Sequence, residues 1–458
     1  MRYVTFTQTD AASSASALPA DAAGADVAQL CARLIRFDTT NHGGGRSTGE
    51  HLIAAWIAQL LRGAGYDPEI VGPRPERASV ILRVPGTDAS LPGLLVHGHL
   101  DVVPAEPADW SVDPFAGEIR DGYVWGRGAT DMKDMVAMTL ACLLDWAERG
   151  ERPRRDVVFA FVADEEDTGA EGALWLVEHR PELFAGVEAA IGESGGVPVS
   201  VRGADGSPVR LYPVATAERG TMHLRLRAEG TAGHGSRPTV DNPVAAIAEA
   251  VQRFAAHRWP LHLSPTVRTF LAEACAAIGH PADLRSEAGV AAALEALGGA
   301  ADYARHTIRA TSTPTVLQAG YKVNVIPSAA EALIDVRCPP GFDAGMPERL
   351  RELAGDVELE FTSFQPPVES ALDGPWFEAM RAAIRRADPE GVVVPFCMGG
   401  GTDAKAFARI GIAGYGFAPL GPDPDGRELA GTHGVDERVP VAALEQGRRM
   451  LHDFLTNA

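Results

Sequence analysis

Cysteine is scarce in this chain and is nowhere paired in sequence. Of the 458 residues five are cysteine, and they stand singly, without a Cys-x-x-Cys spacing. A zinc ribbon or a disulfide framework needs clustered or regularly spaced cysteines, so neither is indicated. This usage fits a reducing compartment, and no continuous apolar segment of a secretion signal follows Met1. We therefore expect a cytoplasmic protein.

Long apolar runs and an excess of basic residues are also missing. The longest apolar stretches fall well short of the about 20 residues that cross a bilayer, so no membrane-spanning role is expected. Lys and Arg number 41 against 61 Asp and Glu, which gives a formal net charge of -20. Phosphate backbones and anionic membranes would be repelled overall, so neither nucleic acid nor membrane is expected as the main partner.

What the chain does have is length and a soluble composition. With 458 residues, 46% of them hydrophobic and 22% charged, it exceeds what one core usually serves, so two domains are expected. Residues 1–25 are rich in Ala, Ser and Asp and are predicted to form a flexible N-terminal tail. We expect 26–217 and 365–458 to be the two parts of one domain and 218–364 to be a second domain between them.

Short apolar runs alternate with helical patterns in the first and last parts of the chain. This alternation predicts an α/β fold, a sheet with helices on both faces. Strands are predicted at 79–84, 93–97, 156–163, 188–192 and 392–397. Helices are predicted at 27–37, 49–63, 132–149, 172–179, 376–386 and 439–456. An Asp-Gly turn at Asp121 predicts a hairpin ahead of Asp131.

The pattern changes in the middle of the chain. Its predicted elements follow the order strand, helix, strand, strand, helix, strand, which is typical of a ferredoxin-like α+β sandwich. The predicted strands are 222–228, 316–325, 330–337 and 357–361, and the predicted helices are 242–254 and 346–353. Residues 262–306 are predicted to form a mostly helical insertion in this domain.

His99 and Asp101 end the second predicted strand. Their spacing of two residues points both side chains the same way, so Asp101 could accept the second imidazole N–H of a metal-bound His99. His97 lies two residues earlier with the same orientation. Ordinary strand-end histidines are the alternative, and this short segment by itself does not decide between the two.

Further acids and one histidine stand where strands end or helices begin. Asp131 follows a glycine-rich turn and precedes a helix, where it could bind cations or simply cap the helix. Residues 164–167 place four acids after a buried strand; they form either a ligand site or an exposed acidic loop. Glu193 ends another strand, and His433 precedes the last helix. Together these N and O donors suit Zn²⁺.

These segments resemble the motifs of the M20 metallopeptidases, a family with aminoacylases, carboxypeptidases, dipeptidases and deacylases. The resemblance covers nearly the whole chain. The matching motifs, in family order, are His99-x-Asp101-Val-Val-Pro104, Gly126-Arg-Gly-x-x-Asp131-Met-Lys133, Glu165-Glu166, Gly192-Glu193 and His433. The resemblance implies a zinc-exopeptidase-like catalytic α/β domain, an inserted ferredoxin-like lid domain used for dimerisation, and a homodimer acting on a small peptide or an N-acyl amino acid.

The resemblance also implies a role for each residue of the site. His99 and Glu193 would bind one Zn²⁺, and Glu166 and His433 the other, with Asp131 bridging the pair. Co²⁺ or Mn²⁺ could replace zinc in such a site. As the catalytic residues, Glu165 would be the general base, Asp101 would orient His99, and His234 would stabilise the oxyanion.

Residues of the middle domain and the last third are expected at the substrate site. His234 lies in a Gly-His-Gly segment, for which a surface loop is the alternative. Asn324 and Arg337 resemble a substrate-binding pair, although Arg337 could equally form a structural ion pair. Gly400 and Thr402 lie in a glycine loop that lacks the lysine of a nucleotide-binding loop and resembles a substrate-lining segment.

The leading interpretation is a di-zinc hydrolase of amide bonds. A catalytically silent relative that keeps the fold as a binding or assembly protein is the alternative, and the presence of the five ligands and of Glu165 argues against it. The sequence does not identify the substrate, because the same metal site serves deacylases, dipeptidases and carboxypeptidases.

Overall fold

The computed structural model of the chain describes residues 26–342, 345–423 and 431–458. The predicted tail, residues 1–25, lies outside the described residues. All five cysteines are buried free thiols. Among the described helices there is none with the length and apolar character needed to cross a membrane.

Helices and strands alternate along most of the described chain. The α-helices are α1 Val27–Ile35, α2 His51–Gly63, α3 Lys133–Arg149, α4 Ala173–His179, α5 Pro243–Ala256, α6 Pro265–Ala277, α7 Glu287–Leu297, α8 Asp302–Arg305, α9 Met346–Ala354, α10 Pro375–Ala387, α11 Ala404–Ala408 and α12 Val441–Asn457. The strands are β1 Asn41–Gly43, β2 Arg46–Ser47, β3 Glu69–Arg74, β4 Arg77–Val84, β5 Gly93–His99, β6 Glu118–Arg120, β7 Tyr123–Trp125, β8 Val157–Val162, β9 Val187–Gly192, β10 Val199–Arg202, β11 Pro208–Glu218, β12 Gly220–Glu229, β13 Gly233–His234, β14 Thr311–Ala319, β15 Val325–Ile326, β16 Ala329–Cys338, β17 Glu358–Gln365, β18 Val368–Glu369, β19 Val392–Met398, β20 Ala413–Gly416 and β21 Arg438–Pro440.

The chain divides into two compact units. Unit 1 consists of the described residues up to Ala215 together with Ser370–Val394 and Thr402–Ala458. Unit 2 consists of Thr216–Glu369 and Pro395–Gly401. The short second segment of unit 2 lies within 365–458, which was predicted to belong to the other domain.

A mixed sheet forms the centre of unit 1. Its main path runs β10-β11-β20-β9-β5-β8-β4-β3. The middle of this path, β20-β9-β5-β8, is parallel, and the outer pairs are antiparallel. The predicted α/β class is thereby confirmed. In a parallel core the strands end at one edge, which brings the residues that follow them together.

Both faces of this sheet are covered, as the uninterrupted apolar strands require. Along β8, Val157, Phe159 and Phe161 enter one core with residues of α1, α2, α3, α10 and α12. The alternate residues Val158 and Ala160 enter a second core with residues of α4 and α11. Successive side chains of a strand point to opposite faces, so a strand buried on both sides is apolar throughout.

Unit 2 contains the predicted ferredoxin-like arrangement. Its four-stranded sheet has the order β14-β16-β12-β17, and each neighbouring pair is antiparallel. Along the chain the elements run β12-α5-β14-β16-α9-β17, as predicted, and α6, α7 and α8 form the helical insertion. One predicted boundary is wrong: the strand expected at 316–325 begins at Thr311 and ends at Ala319, because Gly320 at φ +71° turns the chain.

The packing of β8 yields a stability prediction. Phe159 is fully buried, and its ring centroid lies 6.2 Å from that of Trp146. Phe159→Ala should lower the free energy of unfolding by about 3–5 kcal/mol, because it removes buried apolar area and leaves a cavity. Urea denaturation measures this change. Leu52→Ala, at a side chain that is 53% exposed, is the control, and equal effects of the two variants would contradict the packing.

Candidate metal centre

Three neighbouring parallel strands deliver acids and a histidine to one edge of the sheet in unit 1. His99 is the last residue of β5, and Glu193 immediately follows β9. Glu165 and Glu166 follow β8 by a few residues. Because β9, β5 and β8 are adjacent and parallel, these side chains converge at the carboxyl end of the sheet.

Asp131 lies between the two histidines of the site. Its Oδ1 is 2.9 Å from Nε2 of His99, and its Oδ2 is 3.0 Å from Nε2 of His433. Each histidine also faces a glutamate: Glu193 Oε2 is 3.9 Å from His99 Nε2, and Glu166 Oε2 is 3.2 Å from His433 Nε2. One carboxylate therefore joins two similar groups of donors.

The five residues predicted as metal ligands form two overlapping groups. His99, Asp131 and Glu193 make the first group, and Asp131, Glu166 and His433 the second, with the donor atoms of each group within 4.8 Å of one another. Oε1 of Glu166 is buried and has no hydrogen-bond partner in the described structure. A buried oxygen of this kind and a set of N and O donors both fit a divalent cation.

Burial and charge repulsion together determine the pKa values of the acids in this site. Burial, followed by repulsion from Glu193, raises the pKa of Glu165 well above its usual range. Burial likewise raises the pKa of Glu193, and Asp131 adds repulsion. Burial would also raise the pKa of Asp131, but hydrogen bonds with His433 and His99 outweigh it and lower that pKa. Bound cations would relieve this repulsion.

The carboxylate of Asp101 has partners other than the expected imidazole. Nδ1 of His99 lies 2.9 Å from the main-chain oxygen of Asp101 but 3.8 Å from its carboxylate. The carboxylate accepts hydrogen bonds from the backbone N–H groups of Glu165 and Glu166, each at 3.1 Å. The expectation of a carboxylate–imidazole pair was therefore wrong in detail, because the side chain turns toward the loop after β8.

A buried network that was not predicted from the sequence supports the same loop. The amide of Asn41 donates to Asp101 at 2.9 Å and to Asp164 at 3.2 Å. Arg77 forms ion pairs with Asp164 and with Glu50. Asn41 and Arg77 are far from these acids in sequence and belong to no recognisable motif, so local patterns give no signal for them.

His97 matches the alternative of an ordinary strand-end histidine. It belongs to neither ligand group, is almost fully buried, and packs against Phe407 with 5.1 Å between ring centroids. Burial, with a contribution from His99, lowers its pKa to about 3. Gly192 is needed beside it, because a Cβ at that position would come within 2.3 Å of the ring.

His234 and Asn324 come together in unit 2 through backbone pairing. The N–H of Gly235 donates to the Asn324 carbonyl at 2.9 Å, and His234 pairs with Val325 between β13 and β15. The backbone N–H of Ser236 donates to Nδ1 of His234 at 3.2 Å. Since Nδ1 accepts, the proton of the neutral ring belongs on Nε2, which leaves an exposed N–H donor.

Arg337 forms the ion pair that was the alternative to substrate binding. Its Nε and Nη2 donate to the two oxygens of Asp335 at 2.7 and 3.2 Å, and Nη1 donates to Thr221. The guanidinium is thus held by residues of its own sheet. Strand spacing explains this, since Asp335 and Arg337 are two residues apart and share a face of β16.

The glycine loop has an anchor that was not predicted. The carbonyl of Gly399, next to Gly400, accepts hydrogen bonds from Arg219 at 2.9 and 3.1 Å. Arg219 also donates to the His306 carbonyl at the end of the helical insertion. The hydroxyl of Thr402 accepts from the Ala404 N–H at 3.1 Å, beside the start of α11.

Comparison with known sequences gives the family. A sequence model described as Peptidase family M20/M25/M40 matches residues 95–457. The chain belongs to this family. It is therefore a hydrolase of the M20 type, as the motif resemblance predicted, and the family is metal-dependent, in agreement with the donor groups.

Individual relatives of this M20 chain include hydrolases of different substrates. It is 29% identical to human N-fatty-acyl-amino acid synthase/hydrolase PM20D1 over 399 residues, 84% of this chain and 77% of that protein. It is 27% identical to aminoacylase-1 of Pongo abelii, covering 86% of each protein. The structure of the M20 family metallo-carboxypeptidase Sso-CP2 from Sulfolobus solfataricus aligns with a TM-score of 0.69 at 16% identity, over 94% of this chain and 99% of that one. The last comparison supports the fold.

The charges of this M20 site predict proton release on metal binding. Hydrogen bonds with Asp131 and Glu166 raise the pKa of His433 to about 10. Burial alone would lower the pKa of His99, but its hydrogen bond with Asp131 and the nearby carboxylates of Glu193 and Glu165 raise that pKa well above its usual range. Near neutral pH both rings are protonated without metal and must lose their protons to bind it. Metal affinity should therefore rise with pH between 6 and 8, by about tenfold per unit for each proton released.

Calorimetric titration of the metal-free protein with Zn²⁺ in buffers of different ionisation enthalpy measures these protons. The observed heat should depend on the buffer. A heat that is the same in all buffers, with an affinity independent of pH, would contradict the protonation states described for His99 and His433.

Proposed function

We propose that this protein hydrolyses the amide bond of a small peptide or an N-acyl amino acid with two divalent cations, Zn²⁺ in the first instance. The observation that carries this proposal is the pair of donor groups that share Asp131, with Glu165 beside them but in neither group. A catalytically silent binding protein would have no need for this unused carboxylate.

The ligand roles follow from the two groups. His99 and Glu193 would hold one cation, Glu166 and His433 the other, and the two oxygens of Asp131 would serve one each. Co²⁺ or Mn²⁺ could occupy the same donors. When bound, such cations make water more acidic and polarise the carbonyl group of the substrate.

Glu165 is the proposed general base. Burial and the nearby Glu193 raise the pKa of its carboxyl, so the carboxylate holds a proton more firmly than an ordinary glutamate does. Asp101 fixes the main chain of Glu165 through a hydrogen bond. Glu165 would take a proton from the attacking water and deliver it to the leaving nitrogen.

His234 is the proposed oxyanion donor. Its exposed Nε2–H is suited to stabilise negative charge that develops on a carbonyl oxygen. In the M20 resemblance this histidine serves the active site of a partner subunit, so the proposal includes a homodimer. Asn324, which accepts a backbone hydrogen bond from Gly235 next to His234, is proposed to contact the substrate together with Gly400 and Thr402.

The relatives support an acyl-amino acid or a peptide as the substrate. PM20D1 and aminoacylase-1 are named for acylated amino acids, and the structural relative is named a carboxypeptidase. Arg337 is not proposed as the carboxylate-binding residue, because Asp335 already holds its guanidinium. The cytoplasm remains the proposed compartment on the basis of cysteine usage.

Replacing the proposed base should separate chemistry from metal binding. Glu165→Gln should lower kcat by about 10²–10⁴-fold, the usual effect of a positioned base, while both cations remain bound. Steady-state kinetics on N-acyl amino acids and dipeptides, with elemental analysis of the metal, measure this. Asp167→Asn, a change at a neighbouring acid outside both donor groups, is the matched control. Near-normal turnover by Glu165→Gln would remove Glu165 from the proposed role.

Mixing two inactive variants tests the role of His234 across a dimer. If His234 serves the partner subunit, mixing His234→Ala with Glu165→Gln should restore about a quarter of wild-type activity, because heterodimers contain one intact site. Native mass spectrometry of differently tagged chains verifies that subunits have exchanged. Exchange without recovered activity would contradict the sharing of sites.

A further inference from the structure

Two loops of unit 1 carry two of the three ligands of the second donor group, Asp131 and His433. Asp131 ends the glycine-rich loop that follows β7, here called the aspartate loop, residues 126–131. His433 lies in residues 431–437, here called the histidine loop. The side chain of His433 is 51% exposed, in contrast to His99, which is 1% exposed at the end of a central strand. The sheet therefore positions His99, whereas another contact must position His433.

That contact is made by Glu437, the last residue of the histidine loop. It is fully buried, and both of its oxygens accept hydrogen bonds from the aspartate loop. Oε1 accepts from the backbone N–H of Thr130 at 2.8 Å and from its hydroxyl at 3.0 Å. Oε2 accepts from the N–H of Gly128 at 3.0 Å and from Arg127 at 2.5 Å. All four donors precede Asp131 by no more than four residues.

Two further hydrogen bonds donated by the aspartate loop complete the connection. Arg127 donates through Nη2 to the carbonyl of Gly434, the residue after His433, at 3.0 Å. The N–H of Gly126 donates to the main-chain oxygen of Glu437 at 2.9 Å. The two loops are thus joined by side-chain and main-chain hydrogen bonds around one buried Arg–Glu pair. Because a buried carboxylate is costly without such donors, the pair holds one arrangement of the loops.

We propose that Glu437 is a positioning residue that sets the affinity of the Asp131–Glu166–His433 group for its cation. It does so by fixing the histidine loop on the aspartate loop, so that His433 Nε2 stays 3.0 Å from Asp131. The inference rests on the proposed two-cation function and deepens it. The His99–Asp131–Glu193 group, positioned by β5 and β9, should not depend on Glu437 to the same extent.

The test is stepwise titration of metal-free protein with Zn²⁺ by calorimetry, and with Co²⁺ by absorption. Glu437→Gln keeps the shape but points an amide NH₂ at groups that are themselves donors. It should weaken binding of the cation at the Asp131–Glu166–His433 group by about 10–100-fold, the usual effect of losing a residue that supports a metal ligand. Binding at the His99–Asp131–Glu193 group should change by no more than a few-fold. His433→Ala identifies the step that belongs to the Asp131–Glu166–His433 group, and adding Glu437→Gln to it should change the remaining step little.

Two further variants keep the test decisive. Asp436→Asn changes the neighbouring residue of the same loop, whose carboxylate accepts from the N–H and hydroxyl of Ser111 at 2.8 and 2.9 Å. It should leave both steps unchanged. If Glu437→Gln does not fold, Arg127→Lys takes its place. It removes the hydrogen bond to Gly434 and should likewise weaken cation binding at the Asp131–Glu166–His433 group.

The outcomes separate this inference from the proposed function. Equal weakening of both cations by Glu437→Gln, or equal effects of Glu437→Gln and Asp436→Asn, would overturn the positioning role. Two cations in the wild type without any amide hydrolysis would overturn the proposed function alone, since the titration still compares the two steps. A wild type that binds fewer than two cations would overturn both.

Discussion

Mutual repulsion among buried acids at one edge of a sheet is the constraint on which this structure depends. Asp131, Glu166 and Glu193 approach one another at the ends of parallel strands, and Glu165 lies beside them. In a protein interior such charges stay close only when cations, donors or protons compensate them. The two histidines, the buried hydrogen-bond networks and the metals that the family uses all answer this requirement.

The negative charges of these acids are compensated both within the donor groups and in the residues around them. Within the two donor groups, His99 and His433 face the oxygens of Asp131. Beneath the loop after β8, Asn41 and Arg77 hold acids that are not ligands, and backbone N–H groups use the carboxylate of Asp101. Each supporting acid is thereby given donors of its own, which leaves the ligand oxygens available for metal.

Local sequence patterns predicted the parts of the site that depend on strand ends. His99 and Glu193 could be located because an apolar run shows where a buried strand stops. Patterns failed where the partner is distant, as with the amide of Asn41, because no periodicity links residues from separate elements. The role of Arg337 could not be decided from the sequence, because a guanidinium binds a protein carboxylate and a substrate carboxylate with the same two-point geometry.

The fold was predictable for a similar reason. Alternation of strands and helices gave the α/β class, and the order of elements gave the ferredoxin-like sandwich. The strand predicted from Val316 begins earlier, at Thr311, and includes Pro314. That residue is tolerated because β14 is an edge strand of its sheet.

The buried state of all five cysteines has a practical consequence for spectroscopy. Thiol reagents attack exposed thiolates, and a thiol enclosed in apolar surroundings is inert. A cysteine introduced at an exposed position would therefore be the reactive one, without prior removal of the native residues. Fluorophores or spin labels could then be attached at chosen points on either unit of otherwise wild-type protein.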